Sequence, residues 1–539
     1  MPDVDTVVIG SGAGGLTAAL ALARAGELVV VFEQHYLPGG YCHSFALGGY
    51  SWSPGVHYIG QLQPGGEVRR FYEGLGVSAD LVFCELNPDG FDRVIVGDRG
   101  YHHVAGLARN VEQLASAFPA DAAGIRGYHD ELTRIAAAFQ GGDPGARDPA
   151  LTLAAGSSLD ALLRRHVRDP VARTVLAAQG LNYGVAPSRV AALVHAGLAL
   201  HYADGGWYPL GGGRALPRAF IRALRAAGGE IQVRTRVERI LVEGEPGRAR
   251  AVGVRLAGGE TITAGRVISN ADAGVTYGRL VGPALVGPAL RRRLERAEWA
   301  ASSLSLFAVV ELDAAALGFD SGNTWLFADA DAERAYTLGE AELWGSAPLQ
   351  GMFVSFPTLK DPSSRRGGLH AIEAFVLVDY QAFARWAGSD HARRPEAYER
   401  LKAHLMERML DALARLVPGV RERLRFCALG TPLTNEFYVE ATRGSLYGTA
   451  RSLAQGGGYG FPIESEIEGL LLCGASTLSH GVYGSALSGL HAAGLALGVS
   501  PQELLGAGGP PLRTVPADRP EAWPVDLRQR AGAPVHAED

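Results

Sequence analysis

Asp5–Gly40 reads DTVVIGSGAGGLTAALALARAGELVVVFEQHYLPGG. The apolar run Val7-Val8-Ile9 stops at Gly10-Ser11-Gly12-Ala13-Gly14-Gly15. A helical stretch rich in alanine and leucine follows, Leu16 to Arg24, and a second apolar run, Leu28 to Phe32, ends in Glu33. Strand, glycine turn, helix, strand and an acid about 20 residues on make a dinucleotide-binding unit. Gly10 permits the tight turn, Gly12 lets the backbone approach a pyrophosphate, and Gly15 lets the helix pack close to the strand. The N–H groups that open the helix, at Ala13 and Gly14, lack partners within it, and with the helix dipole they hold an anion. Glu33 accepts hydrogen bonds from ribose hydroxyls.

Gly39-Gly40 forms a second close-approach turn just past the acid, suited to a cofactor that continues beyond its pyrophosphate. The chemistry alone leaves FAD and NAD nearly even. Flavin enzymes of the two-dinucleotide-binding-domain class share this pattern, which favours FAD.

A chain of 539 residues is too long for one core, so two or more domains are expected, and 47% hydrophobic residues are enough to fill them. The net charge of -6, with no clustered Lys/Arg run, speaks against a nucleic-acid partner. Lysine is scarce while arginine and alanine abound, which points to a GC-rich genome. Cys42, Cys84, Cys427 and Cys473 make no C-x-x-C pair, so neither a metal site nor a redox dithiol is expected, only thiols in a reducing compartment. The chain opens directly on the nucleotide-binding strand, so no signal peptide is expected, and no apolar run reaches the roughly 18 residues of a membrane span. A cytoplasmic protein is expected, soluble or peripheral on a membrane. Nothing in the sequence sets the oligomeric state.

Beyond the opening unit, Phe45–Leu47 and Tyr50–Trp52 read as a hairpin, and Ser53-Pro54-Gly55 turns the chain towards Val56-His57-Tyr58-Ile59. Residues 80–106 alternate as strands. The adjacent His102-His103 pair is rejected as a metal site, because neighbouring side chains on a strand point to opposite faces. Residues 107–204 are mainly helical, with breaks at Gly141–Pro149 and at Pro187. Gly211-Gly212-Gly213 opens a helix but lacks the preceding strand of a second dinucleotide fingerprint, so NAD(P)H has no evident site, although it remains open as an electron donor. Strands and a β-meander run from Ile231 to Ala271, and further strands are read at Ser305–Glu311, Gly351–Phe356 and His370–Val378. Leu470-Leu471-Leu472-Cys473-Gly474 is a buried strand ending in glycine. Gly481 to Leu497 is a helix whose N-terminus is expected to face the cofactor. Residues 501–539 hold seven prolines without periodicity and are read as a tail with little folded structure, whose removal should change little.

The chain resembles the flavoprotein family of phytoene desaturases, carotenoid isomerases and retinol saturases, over roughly Asp3 to Leu497. The stretches that carry the likeness are Gly55-Val56-His57-Tyr58-Ile59-Gly60-Gln61, Tyr183-Gly184-Val185 with Pro187-Ser188, and Gly205-Gly206-Trp207-Tyr208-Pro209. Ser269-Asn270-Ala271, Pro432-Leu433-Thr434-Asn435, and Arg443-Gly444 with Tyr447-Gly448 match as well. The resemblance implies an α/β fold: an FAD-binding Rossmann-type domain with an inserted mixed α+β substrate domain. The FAD domain is expected from 1–75, 205–284 and 426–500, the substrate domain from 76–204 and 285–425, and the tail from 501. Gly10, Gly12, Ala13, Gly14, Gly15, Glu33, Gly39, Gly40, Val237, Gly474, Gly481 and Tyr483 are the expected cofactor residues. One departure is Gly474-Ala475, where many relatives have Gly-Asp; backbone N–H groups are expected to serve in place of that acid.

The implied activity is FAD-dependent redox chemistry on a C=C or C–C bond of an apolar isoprenoid or polyene, as a saturase or desaturase. A non-redox double-bond isomerase and a flavin- or lipid-binding protein without turnover are the alternatives. His57, Tyr58, His201 and Tyr447 are the candidate proton-relay residues, since His and Tyr can donate at neutral pH.

Overall fold

Val8 and Val31 face one core and Val7, Ile9, Val30 and Phe32 another, so the two opening strands are buried on both sides. That explains their unbroken apolar sequence, as in a parallel sheet covered on both faces. The computed structural model describes residues 2–139, 149–336, 338–455 and 460–531. The expected break at Gly141–Pro149 lies, but for Pro149, outside the described residues.

The first sheet runs in the order Val237–Glu243, Arg250–Leu256, Thr261–Ser269, Val4–Ile9, Val29–Phe32 and Glu230–Gln232, with Leu470–Leu472 also paired to Thr261–Ser269. One parallel row crosses it through Ile231, Val31, Val8, Ile268 and Leu471. Strands far apart in sequence thus close one layer. The helix Ala13–Arg24 lies on one face between Ala215–Ala226 and Gly481–Leu497.

A second sheet follows the order Leu424–Gly430, Ser302–Glu311, Leu369–Val378, Met352–Ser355, Asn323–Phe327, Asp92–Val96 and Arg99–His103. Trp325, Phe353 and Phe375 look towards the helices of residues 107–201, while Leu306, Met352 and Val376 meet the helix Glu396–Leu416. The hairpin at Phe45–Trp52 is present, and its Trp52 packs on Phe307.

Two expectations need correction. A three-residue strand, Trp207–Pro209, does precede Gly211-Gly212-Gly213, but it pairs antiparallel with Val82–Glu85, away from the parallel sheet. The helix that follows is closed by protein groups: Gly213 N–H donates to Ser53 Oγ and Arg214 N–H to Ser44 Oγ.

Residues 501–531 are not a loose tail. Arg513–Pro516 adds a parallel strand to Val82–Glu85, and Leu512, Val515, Trp523 and Leu527 are buried. Trp523 Nε1 donates to the Pro516 carbonyl at 2.6 Å, and Asp518 accepts from the backbone and hydroxyl of Ser321. The segment shows no period of its own because it docks onto an existing strand edge, which supplies the rest of the core. Removing residues 507–539 should lower the melting temperature, and Trp523→Ala alone should cost about 3–5 kcal/mol. Unchanged melting in both would contradict the docking. Residues 532–539 lie outside the described residues.

Candidate cofactor and substrate site

The glycine turn is shaped by close approach. Gly10 has φ +89°. A Cβ on Gly15 would lie 2.1 Å from the Gly10 carbonyl oxygen, so the helix rests directly on the turn. Gly12 stands at the helix N-cap with no side-chain acceptor, and the first turn carries no acid. A Cβ on Gly12 would meet Asn270 Nδ2 at 2.5 Å, and one on Gly14 would meet Ser485 O at 2.8 Å. Gly40 stacks over Gly12, where its Cβ would lie 3.2 Å from Gly12 Cα.

Glu33 is 7% exposed and makes no ion pair among the described residues. Its Oε2 accepts from Ser11 N–H at 2.9 Å and Ser11 Oγ at 2.6 Å, and its Oε1 from His35 N–H at 2.8 Å. Ser11 Oγ in turn accepts from Gly39 N–H at 3.0 Å. The acid, the first glycine turn and the second are therefore one hydrogen-bonded unit.

The helix Gly481–Leu497 also begins without a side-chain cap, and nothing lies within 4 Å of a Cβ built on Gly481. The expectation that backbone N–H groups replace the acid after Gly474 does not hold at Gly474 itself, whose N–H already donates to Ser488 Oγ at 2.8 Å. Tyr483 donates to Glu67 Oε1 at 2.7 Å. Val237 is not at the turn; it opens an end strand of the first sheet and is buried in the same core as Ile9 and Phe32.

Ile59 bridges Trp207, so the residues before it alternate in direction. The His57 ring packs against Phe353 and Phe375, at centroid distances of 4.9 and 5.8 Å. Tyr58 turns elsewhere: it stacks on Tyr202 at 4.2 Å and donates to Asp92 Oδ2 at 2.9 Å. Asp92 is fully buried, which pushes its carboxyl upward, and it also accepts from Gln179 and Asn323. Burial holds the Tyr58 phenol well above its usual range.

His201 is committed to the backbone, its Nε2 accepting from Gly60 N–H at 2.9 Å, and burial lowers it to about 4. Its ring lies parallel to that of Tyr483 at 6.5 Å. Tyr447 faces His480 at 5.7 Å, and burial raises its phenol. The four proton-relay candidates thus sit in distinct surroundings.

Sequence reading missed Asp92, Lys360 and Glu373, which line the far side of His57 and Tyr58. Asp92 and Glu373 lie in strands with no motif to mark them. Lys360 carried a usable signal: it is one of only two lysines in the chain, with Lys402.

The open helix N-termini, the cradle a Cβ would fill and the buried Glu33, held by Ser11 and His35, fit a dinucleotide whose pyrophosphate meets the Ala13 helix. The fold and this site define an FAD-binding oxidoreductase of Rossmann type with a second, substrate-side sheet. Residues 13–497 match the flavin containing amine oxidoreductase family, and the chain belongs to it; its cofactor is FAD. Over 482 residues it is 29% identical to all-trans-retinol 13,14-reductase of Danio rerio, covering 83% of this chain and 77% of that one. It is 25% identical over 512 residues to the chloroplastic prolycopene isomerase of Arabidopsis thaliana, covering 90% and 81%. An oxidoreductase of Methanosarcina mazei has the same fold, with a TM-score of 0.64 and 19% identity over 90% of this chain and 99% of that one. The resemblance read from the HYIG and PLTN stretches is borne out by these relatives.

Proposed function

We propose that the protein adds hydrogen across, or removes it from, a carbon–carbon bond of an apolar polyene of retinoid or carotenoid type. The observation that carries this reading is the likeness to all-trans-retinol 13,14-reductases, which runs through both sheets and is not confined to the cofactor motif. Bound FAD supplies hydride exchange at its N5. The chain's own residues do the rest. Ser11 and Glu33 anchor the ribose end, the Ala13 helix holds the pyrophosphate, and Phe353 and Phe375 offer an apolar wall. His57, set against that wall, delivers the complementary proton from its imidazole.

Incubating the dithionite-reduced holoenzyme with a panel of polyenes under anaerobic conditions tests the reading. A product heavier by about two hydrogens supports addition, and one lighter by about two from a parallel incubation with the oxidised holoenzyme, whose flavin accepts the hydride, supports removal. A product of equal mass but altered geometry would favour an isomerase instead, the second reading, which the 25% identity to prolycopene isomerase supports. Among the described residues no helix is long and apolar enough to cross a membrane. Peripheral contact is part of the same proposal, through the exposed rings of Tyr36, Phe437 and Tyr438, because such rings suit a boundary between lipid and water.

A further inference from the structure

Arginine serves as the cation almost everywhere in this chain, and Lys360 is a buried exception, 0% exposed. It follows the strand Met352–Ser355 in a short helical turn, Pro357–Lys360. Its Nζ donates to the backbone carbonyl of His57 at 2.7 Å and to Asn323 Oδ1. The rings of Tyr208, Tyr58 and Phe353 surround it, at 5.5, 5.9 and 5.9 Å. A compact ammonium fits that space, whereas a guanidinium fork presents its donors in a fixed plane. Lys360 has no ion-pair partner among the described residues, and burying an ammonium that way is costly, so a position that keeps one calls for a role.

His57 is held from a second direction. Glu373 is buried in the strand Leu369–Val378; its Oε1 accepts from Ser53 N–H at 2.7 Å, and its Oε2 lies 3.4 Å from His57 Nδ1. Oε2 and Nδ1 are both buried, and among the described residues neither has a hydrogen-bond partner, so each is the nearest polar atom left for the other. The His57 side chain is 16% exposed, so the ring is not sealed in.

We propose that Lys360 and Glu373 are positioning residues for His57, one fixing its backbone and the other its ring. The inference rests on the reading of His57 as the proton donor. Glu373 Oε2 selects the ring form that carries hydrogen on Nδ1, and it balances the imidazolium when Nε2 is also protonated. Lys360 locks the carbonyl of the same residue, so the ring swings on a fixed base. Burial lowers the Lys360 ammonium to about 7, against the pull of Asp92 and Glu373.

The test uses FAD-loaded protein labelled with ¹⁵N-histidine, with the His57 signals identified by their loss in His57→Phe. In Glu373→Gln, Oε1 stays with Ser53 N–H, so the amide NH₂ faces Nδ1 and the neutral ring moves its hydrogen to Nε2. The expected result is that switch in the His57 signals. The turnover number with all-trans-retinol, after dithionite reduction, should fall at least about tenfold. KM should change less than about threefold, with FAD content and melting near parental. Lys360→Met should perturb the same His57 signals and lower turnover. Unchanged His57 signals and parental turnover in both variants would overturn the proposal. If Lys360→Met does not fold, Glu373→Gln decides. If His57→Phe keeps its turnover, or the parent does not turn over retinol, the functional reading fails separately, and the His57 signals alone decide the positioning.

Discussion

His57→Phe should keep FAD bound and lower turnover by about 10²–10⁴-fold, the range for a lost general acid–base group. Phenylalanine preserves the ring contacts with Phe353 and Phe375 and removes only the nitrogens. The Lys360 bond to the residue 57 carbonyl survives, because it is made to the backbone. Tyr58→Phe should affect turnover less. It strips one of three side-chain donors from the buried Asp92, leaving Gln179 and Asn323, and should cost about 1–3 kcal/mol of stability. If His57 only pins the turn beside Ser53, the His57→Phe protein would lose flavin or melt earlier. Full occupancy, unchanged melting and parental turnover together would rule out both roles. FAD content, melting and turnover measured on one preparation separate the three cases.

Gly12→Val should abolish FAD binding without unfolding the protein. The nearest obstacle to a side chain at position 12 is the amide end of Asn270, which can turn aside; the branched methyls then occupy the space a pyrophosphate needs above the helix N-terminus. Gly15→Val is the contrasting control. There the obstacle is the Gly10 backbone oxygen, which cannot move without breaking the turn, so loss of fold should accompany loss of cofactor. Glu33→Ala should only weaken binding, by about 1.5–3 kcal/mol, because Ser11 and Gly39 still define the pocket. Titration of each apoprotein with FAD, with circular dichroism on the same samples, checks all three. Parental affinity in Gly12→Val would refute the placement of the pyrophosphate.

The sequence alone determined the nucleotide-binding unit, because its constraints are local. Only glycine tolerates the φ of Gly10 and the contact between Gly15 and the Gly10 oxygen, and an unbroken apolar run marks a strand covered on both faces. The opposite facing of His57 and Tyr58 was legible for the same reason, since side chains alternate along an extended chain. The tertiary structure alone decided the far side of the site. Lys360 reaches His57 across 303 residues and Glu373 reaches Ser53 across 320, through strand pairings whose register no local pattern encodes. The C-terminal segment was misread on the same grounds. Val515 and Trp523 lack periodicity because the surface that buries them belongs to a strand laid down more than 400 residues earlier, and burial of that kind exists only once the chain has closed on itself.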